Sequence, residues 1–173
     1  MRTYFLQYEE DTSINYLYLL LFYKIAEVGN TTRLFDTVRY SSLDELVSKL
    51  NTEYKKINPS QSKTVVSKTT LSRVLNSDTE QKYFVYDKQK KLITLQNNFS
   101  KQKTNGHAKF ITLTDREIDF LLVQNVPLLY RYYFFIKYNC GFSGVNKTDF
   151  TAKQFLEASN YSTKAGNYIS LLS

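Results

Sequence analysis

Between residues 13 and 96 the spacing of apolar side chains switches repeatedly between a helical and an alternating period, and this order restricts the fold more than any other feature of the chain. Ile14, Leu17, Tyr18, Leu21, Ile25 and Val28 recur at three- and four-residue steps, which predicts a helix over 13–28. Thr12 or Ser13 would cap it and Gly29 would stop it. Residues 37–40 are β-prone and run into Ser42, a cap for a helix carrying Leu43, Leu46, Val47 and Leu50 on one face. Asp44 and Glu45 fall in its first turn, where the helix dipole favours acids. Residues 51–64 hold Asn-Pro-Ser and several lysines without a period, and read as a surface loop. Ser67 or Lys68 then opens a second helix, with Leu71, Val74 and Leu75 inward and Lys68, Thr69, Ser72, Arg73 and Asn76 outward. Two β-rich runs, 82–86 and 92–95, flank Asp87-Lys88-Gln89-Lys90-Lys91 and predict a hairpin with a basic tip.

Helix, short strand, helix, helix, hairpin is the winged-helix order. Residues 97–109 are polar and aperiodic, a linker by composition. After it a similar order begins again. Residues 110–113 are strand-like, and Thr114 with Glu117 forms a capping box for a helix bearing Ile118, Leu121 and Leu122. Pro127 separates this from a helix over 128–140, with Leu129, Tyr132, Tyr133 and Ile136 along one side and Gly141 as terminator. Thr151 and Gln154 make a further capping box, and Ala165, Tyr168, Ile169 and Leu172 repeat at helical spacing before the chain stops at Ser173. The expected fold is mainly α with small β hairpins, in tandem winged-helix (helix-turn-helix) domains. The boundaries are an N-terminal domain over 1–98, a linker over 99–109, and a C-terminal domain over 110–173 that lacks its wing. That missing wing gives the expectation that the chain is a truncated piece of a longer protein.

Charge points the same way. The net charge is +7, and residues 37–109 carry fourteen Lys and Arg against six Asp and Glu, so this segment holds the excess. Such a field attracts polyanions in a salt-dependent manner. On the helix, Arg73 and Asn76 suit guanine and adenine edges respectively. Thr69, Thr70 and Ser72 suit phosphates. Lys63 and Lys68 belong to the same basic surface, and Lys88, Lys90 and Lys91 on the wing would add sequence-blind phosphate contacts. In the tail, Thr163, Lys164 and Asn167, with Lys147 and Lys153 nearby, would form a second DNA-reading helix. That segment is close to neutral, so a dimerisation or partner-docking module is its alternative.

Two strings carry a resemblance. Val66-Ser67-Lys68-Thr69-Thr70-Leu71-Ser72-Arg73-Val74-Leu75-Asn76 is similar to the recognition-helix segment of bacterial helix-turn-helix repressors, with a loop inserted before it. Residues 155–169 look like a compact helix-turn-helix, with Asn160 at the turn. Two such units in a Lys-, Asn- and Tyr-rich chain resemble the winged-helix replication initiators of plasmids and phages from Gram-positive bacteria. The resemblance implies double-stranded DNA and replication proteins as partners, and it brings no catalytic residue.

Other chemistries find little support. The aromatic run over 130–138 surrounds a helix rather than covering a sheet, so core plus a subunit contact, and with it a homodimer, is favoured over a base-stacking platform. His107 lies in the linker and nothing ties it to Cys140. One Cys and one His cannot supply the usual zinc ligands. Glu9-Glu10-Asp11 are consecutive, a poor metal cage. No glycine spacing makes a phosphate loop. The expectation is therefore a non-enzyme without cofactor or metal. No secretory leader opens the chain, and the apolar run over 16–23 is far shorter than the roughly 20 residues that span a bilayer, so a cytoplasmic protein free of the membrane is expected. A transcriptional regulator and a protein–protein adaptor remain as alternative functions.

Overall fold

The computed structural model describes residues 3–7, 14–28, 35–96 and 110–143. Among them are five α-helices, a 3-10 turn and two antiparallel sheets. The first helix, α1 (Tyr16–Ile25), is buried on nearly every side, from Tyr16 through Leu19, Leu20, Leu21, Phe22 and Tyr23. A helix apolar all round belongs in the centre, and α1 does touch α2 (Leu43–Ile57), α4 (Asp115–Gln124) and α5 (Pro127–Ser143). It is shorter than the predicted 13–28. Ala26 turns extended, and Glu27–Val28 (β2) pairs with β3 (Phe35–Arg39), so sheet pairing takes the last residues from the helix.

The larger sheet has the order β2-β3-β5-β4, with β4 at Phe84–Asp87 and β5 at Leu92–Gln96. Tyr83 and Phe84 are buried, and a 3-10 turn over Glu80–Lys82 takes up the start of the run expected as strand. Phe22 of α1 meets Phe84 edge-on with ring centroids 5.6 Å apart, which fixes the sheet against the central helix.

The predicted loop over 51–64 is a correction. Helix α2 continues to Ile57, because Tyr54 and Ile57 extend the stripe of Leu46 and Leu50, and the chain leaves the helix only at Asn58 before Pro59. The helix α3 (Lys68–Leu75) buries Leu71, Val74 and Leu75 as expected. Thr114 and Glu117 form the expected reciprocal capping box at α4.

Helix α5 also departs from expectation. It begins at Pro127, whose missing N–H is harmless there, and runs through Gly141 to Ser143. Among its described side chains Tyr130 and Phe134 are buried, whereas Tyr132 and Ile136 are only partly so. Both rings pack on Tyr16 of α1, with centroids 6.2 and 4.9 Å away. Glu117 ties α5 to α4, accepting from Lys137 Nζ at 2.6 Å and Tyr133 Oη at 2.5 Å. Burial pushes the Glu117 carboxyl up, but these donors and Thr114 outweigh it and hold the pKa at about 2.

A boundary at 99–109 does not divide the core. The strand β1 (Thr3–Gln7) pairs antiparallel with β6 (Phe110–Thr114), and residues before and after the linker contribute to one continuous buried cluster. Lys24 of α1 reaches Asp115 at 3.3 Å and Asp119 at 2.9 Å on α4, and Tyr4 donates to Asp115 at 2.6 Å. The tail over 144–173, with its expected helix-turn-helix, lies outside the described residues, as do Glu9-Glu10-Asp11 and His107. No helix among the described residues is long and apolar enough to cross a membrane.

Candidate nucleic-acid interface

Helix α3 starts at a Ser67 cap, whose hydroxyl oxygen accepts from the Thr70 amide at 3.2 Å. That start is held from both neighbouring helices. The Ser67 amide donates to Tyr18 Oη of α1 at 3.3 Å. Asn51 of α2 accepts from the Val65 and Val66 amides at 3.2 and 3.1 Å, and donates to the Val66 carbonyl at 2.9 Å and the Val47 carbonyl at 3.0 Å. A single amide side chain therefore sets where the α2–α3 connection meets α2. Sequence reading missed it, since Asn51 looked like the first loop residue.

With its apolar side fixed, α3 turns Lys68, Thr69, Arg73 and Asn76 outward, while Thr70 and Ser72 are half-buried. Arg73 has no carboxylate or carbonyl partner among the described residues, so its guanidinium fork is available. Asn76 is otherwise engaged: Nδ2 donates to the Ser72 carbonyl at 2.7 Å, and reading adenine with both amide groups would require releasing it. The methyl-bearing Thr69 lies one turn before Arg73 on the same exposed face.

The β4–β5 hairpin carries its lysines at the tip, where Lys91 adopts a left-handed φ of 50° that closes the turn. Asp87 accepts from the Lys90 amide at 2.9 Å, and this bond, aided by the Lys90 ammonium, holds its carboxyl below the usual range. Lys88 is exposed, with no partner among the described residues. Lys91 donates from Nζ to the Ser41 carbonyl at 2.6 Å, and its own carbonyl accepts from the Tyr40 amide at 3.3 Å. Tyr40 also donates to Tyr86 Oη at 3.0 Å, so the hairpin is bound to the chain entering α2.

The N-terminal end of α2, from Ser41 before the cap to Asp44 in the first turn, holds a lysine from each of these elements. Ser41 receives Lys91 of the hairpin, and Asp44 receives Lys68 of α3 at 2.8 Å. Lys68 and Lys91, far apart in sequence, are thus brought to one neighbourhood. Lys49 adds a cation nearby, bonded to Glu45 at 2.6 Å and to the Arg39 carbonyl at 3.3 Å. Its ammonium, with the Ser41 hydroxyl and amide, holds the Glu45 carboxyl at about 2. Arg39 and Lys49 were not singled out from the sequence, although the Ser42 cap beside them was a local signal for this helix end.

Lys63 is not drawn into this group. It stands exposed in the loop over 58–67, and no side-chain contact among the described residues ties it to α3 or the hairpin. Lys147, Lys153, Thr163, Lys164 and Asn167 lie outside the described residues. No group of His, Cys, Asp or Glu among the described residues is arranged to hold a metal. Compared with family models, curated proteins and solved structures, the chain matches none.

Proposed function

We propose that residues 14–96 form a winged helix that binds duplex DNA, with α3 entering the major groove and the β4–β5 hairpin lying along the sugar–phosphate backbone. The observation that carries this reading is the N-terminal end of α2, where Asp44 of the first turn holds Lys68 of α3 and Ser41, just before the cap, holds Lys91 of the hairpin. Cations from separate elements then face one binding partner and their fields add. The helix and strand order, with β5 between β3 and β4, supports the same reading. Arg73 is the base reader, since a guanidinium fork matches guanine O6 and N7. Lys88 and Lys90 meet phosphates. Lys91, bonded to Ser41, chiefly positions the wing.

The resemblance to plasmid and phage initiators makes replication initiation the biological role we favour, with recruitment of replication proteins once an origin site is held. A bound site at a promoter would instead make the protein a transcriptional regulator. Selection of bound oligonucleotides from a random pool supplies the duplex for the decisive test, a salt titration of binding read by fluorescence anisotropy. The logarithm of the binding constant should fall linearly with log salt, by about 0.9 for each phosphate contact. Substituting Lys88, Lys90 and Lys91 together with Ala should flatten that slope by about 2, with Lys91 contributing least, and weaken all sequences alike. Arg73→Ala should cost about 1–3 kcal/mol at one base pair and blur preference there. A binding constant indifferent to salt would remove DNA from the account and leave the protein–protein adaptor.

A further inference from the structure

We propose that Asp44 is an internal substitute for a DNA phosphate, occupying Lys68 in the free protein and holding down the affinity of the whole surface for duplex. This inference rests on the DNA-binding reading given above. The two side chains are 2.8 Å apart, and both are largely open to solvent, at 56% for Lys68 and 73% for Asp44. They join α2 to α3 across 24 residues of sequence.

Its neighbours are different. Lys90 and Asp87 are three residues apart, and Asp87 also caps its own turn. Lys49 and Glu45 lie on one helix. Lys24 with Asp115 and Asp119, and Lys137 with Glu117, sit on partly buried seams between packed helices. Asp44–Lys68 is an exposed ion pair that links two elements of the candidate interface.

Stability does not account well for this pair. An exposed ion pair of this kind contributes little. Lys68 also sits at the first position of α3, where a cation opposes the helix dipole and no acid of α3 compensates it. A carboxylate at 2.8 Å offers the ammonium what a phosphate oxygen would offer, a charged acceptor at hydrogen-bond distance. Both anions cannot share Lys68 without repelling each other. When duplex binds, Lys68 must exchange one anion for the other, and the carboxylate left behind faces the backbone. The net gain from Lys68 is therefore smaller than that from a lysine that only sheds counterions.

A double-mutant cycle tests this, using the full chain, the duplex recovered by selection and a scrambled duplex. Asp44→Asn should tighten binding to both duplexes, by up to about eightfold at 0.1 M salt, and steepen the salt slope by about 1, as one more full phosphate contact would. In a Lys68→Met background, Asp44→Asn should change neither affinity nor slope. Equal gains in both backgrounds would mean that Asp44 acts only through the general field, and would overturn the proposal. So would wild-type binding that Asp44→Asn leaves unchanged. Absence of duplex binding by the wild type and by Asp44→Asn alike would instead defeat the DNA-binding reading itself. Both substitutions are at exposed positions, and Asp44→Asn gives up only the dipole contact of one acid in the first turn of α2, so a thermal midpoint lower by no more than a few degrees is the expected companion result.

Discussion

Replacing Leu121 with alanine should destabilise the entire described body by about 2–5 kcal/mol, the range for truncating a fully enclosed leucine. Leu121 lies on α4 with no exposed surface, and α4 meets both α1 and α2. The removed methyl groups leave a cavity in the one buried cluster to which both sides of the 97–109 segment contribute. The thermal midpoint should fall by about 5–15 °C for a unit of this size. The transition should stay single, and amides in α2 and α3 should lose protection together with those in α4. Calorimetry with hydrogen exchange reads both. Two transitions, with only one displaced, would mean that the halves fold independently after all.

Asn51→Leu should be nearly as damaging and more local in its consequence. The side chain satisfies the Val65 and Val66 amides and the Val66 carbonyl, and Val66 is fully buried. Leucine keeps the bulk and removes every one of these bonds. Each buried group left unpaired costs about 1–3 kcal/mol, so a loss of about 2–4 kcal/mol is expected after the loop relaxes. Because the same residues lead directly into the Ser67 cap, the start of α3 loses its anchor, and duplex affinity should fall at salt concentrations where the protein remains folded. Asn51→Asp, which keeps the acceptor but not the donor, should fall between. Denaturant unfolding and anisotropy on the same samples check the pair of effects. A stable Asn51→Leu protein with unaltered binding would show that α3 is positioned by its apolar face alone.

How much was written locally is clear from particular residues. The inward faces of α2 and α3, the caps at Ser42, Ser67 and Thr114, and the basic hairpin tip follow from side chains within a few positions of one another, where period and capping chemistry act. Where a segment had two local readings, neighbours in space chose. Val28 fits the helical stripe, yet with Glu27 it pairs with β3 instead. Asn51, polar and followed by lysines, looked like the end of a helix and is the residue on which the next connection is fastened. In α5 the aromatics are spread around the axis, so no period marked Tyr130 and Phe134 as the pair that enters the core against Tyr16.

The sequence by itself determined that α2, α3, α4 and the β4–β5 hairpin form, which faces of α2 and α3 are apolar, and which segment carries the positive charge. Tertiary structure alone decided that β1 pairs with β6, that one core serves both sides of the linker, and that Lys68 and Lys91 are each bonded at the N-terminal end of α2. The reason is range. Helical period and capping depend on residues three or four apart, whereas these contacts join positions tens to a hundred residues apart, and their stability exists only once the intervening chain has folded to bring them together.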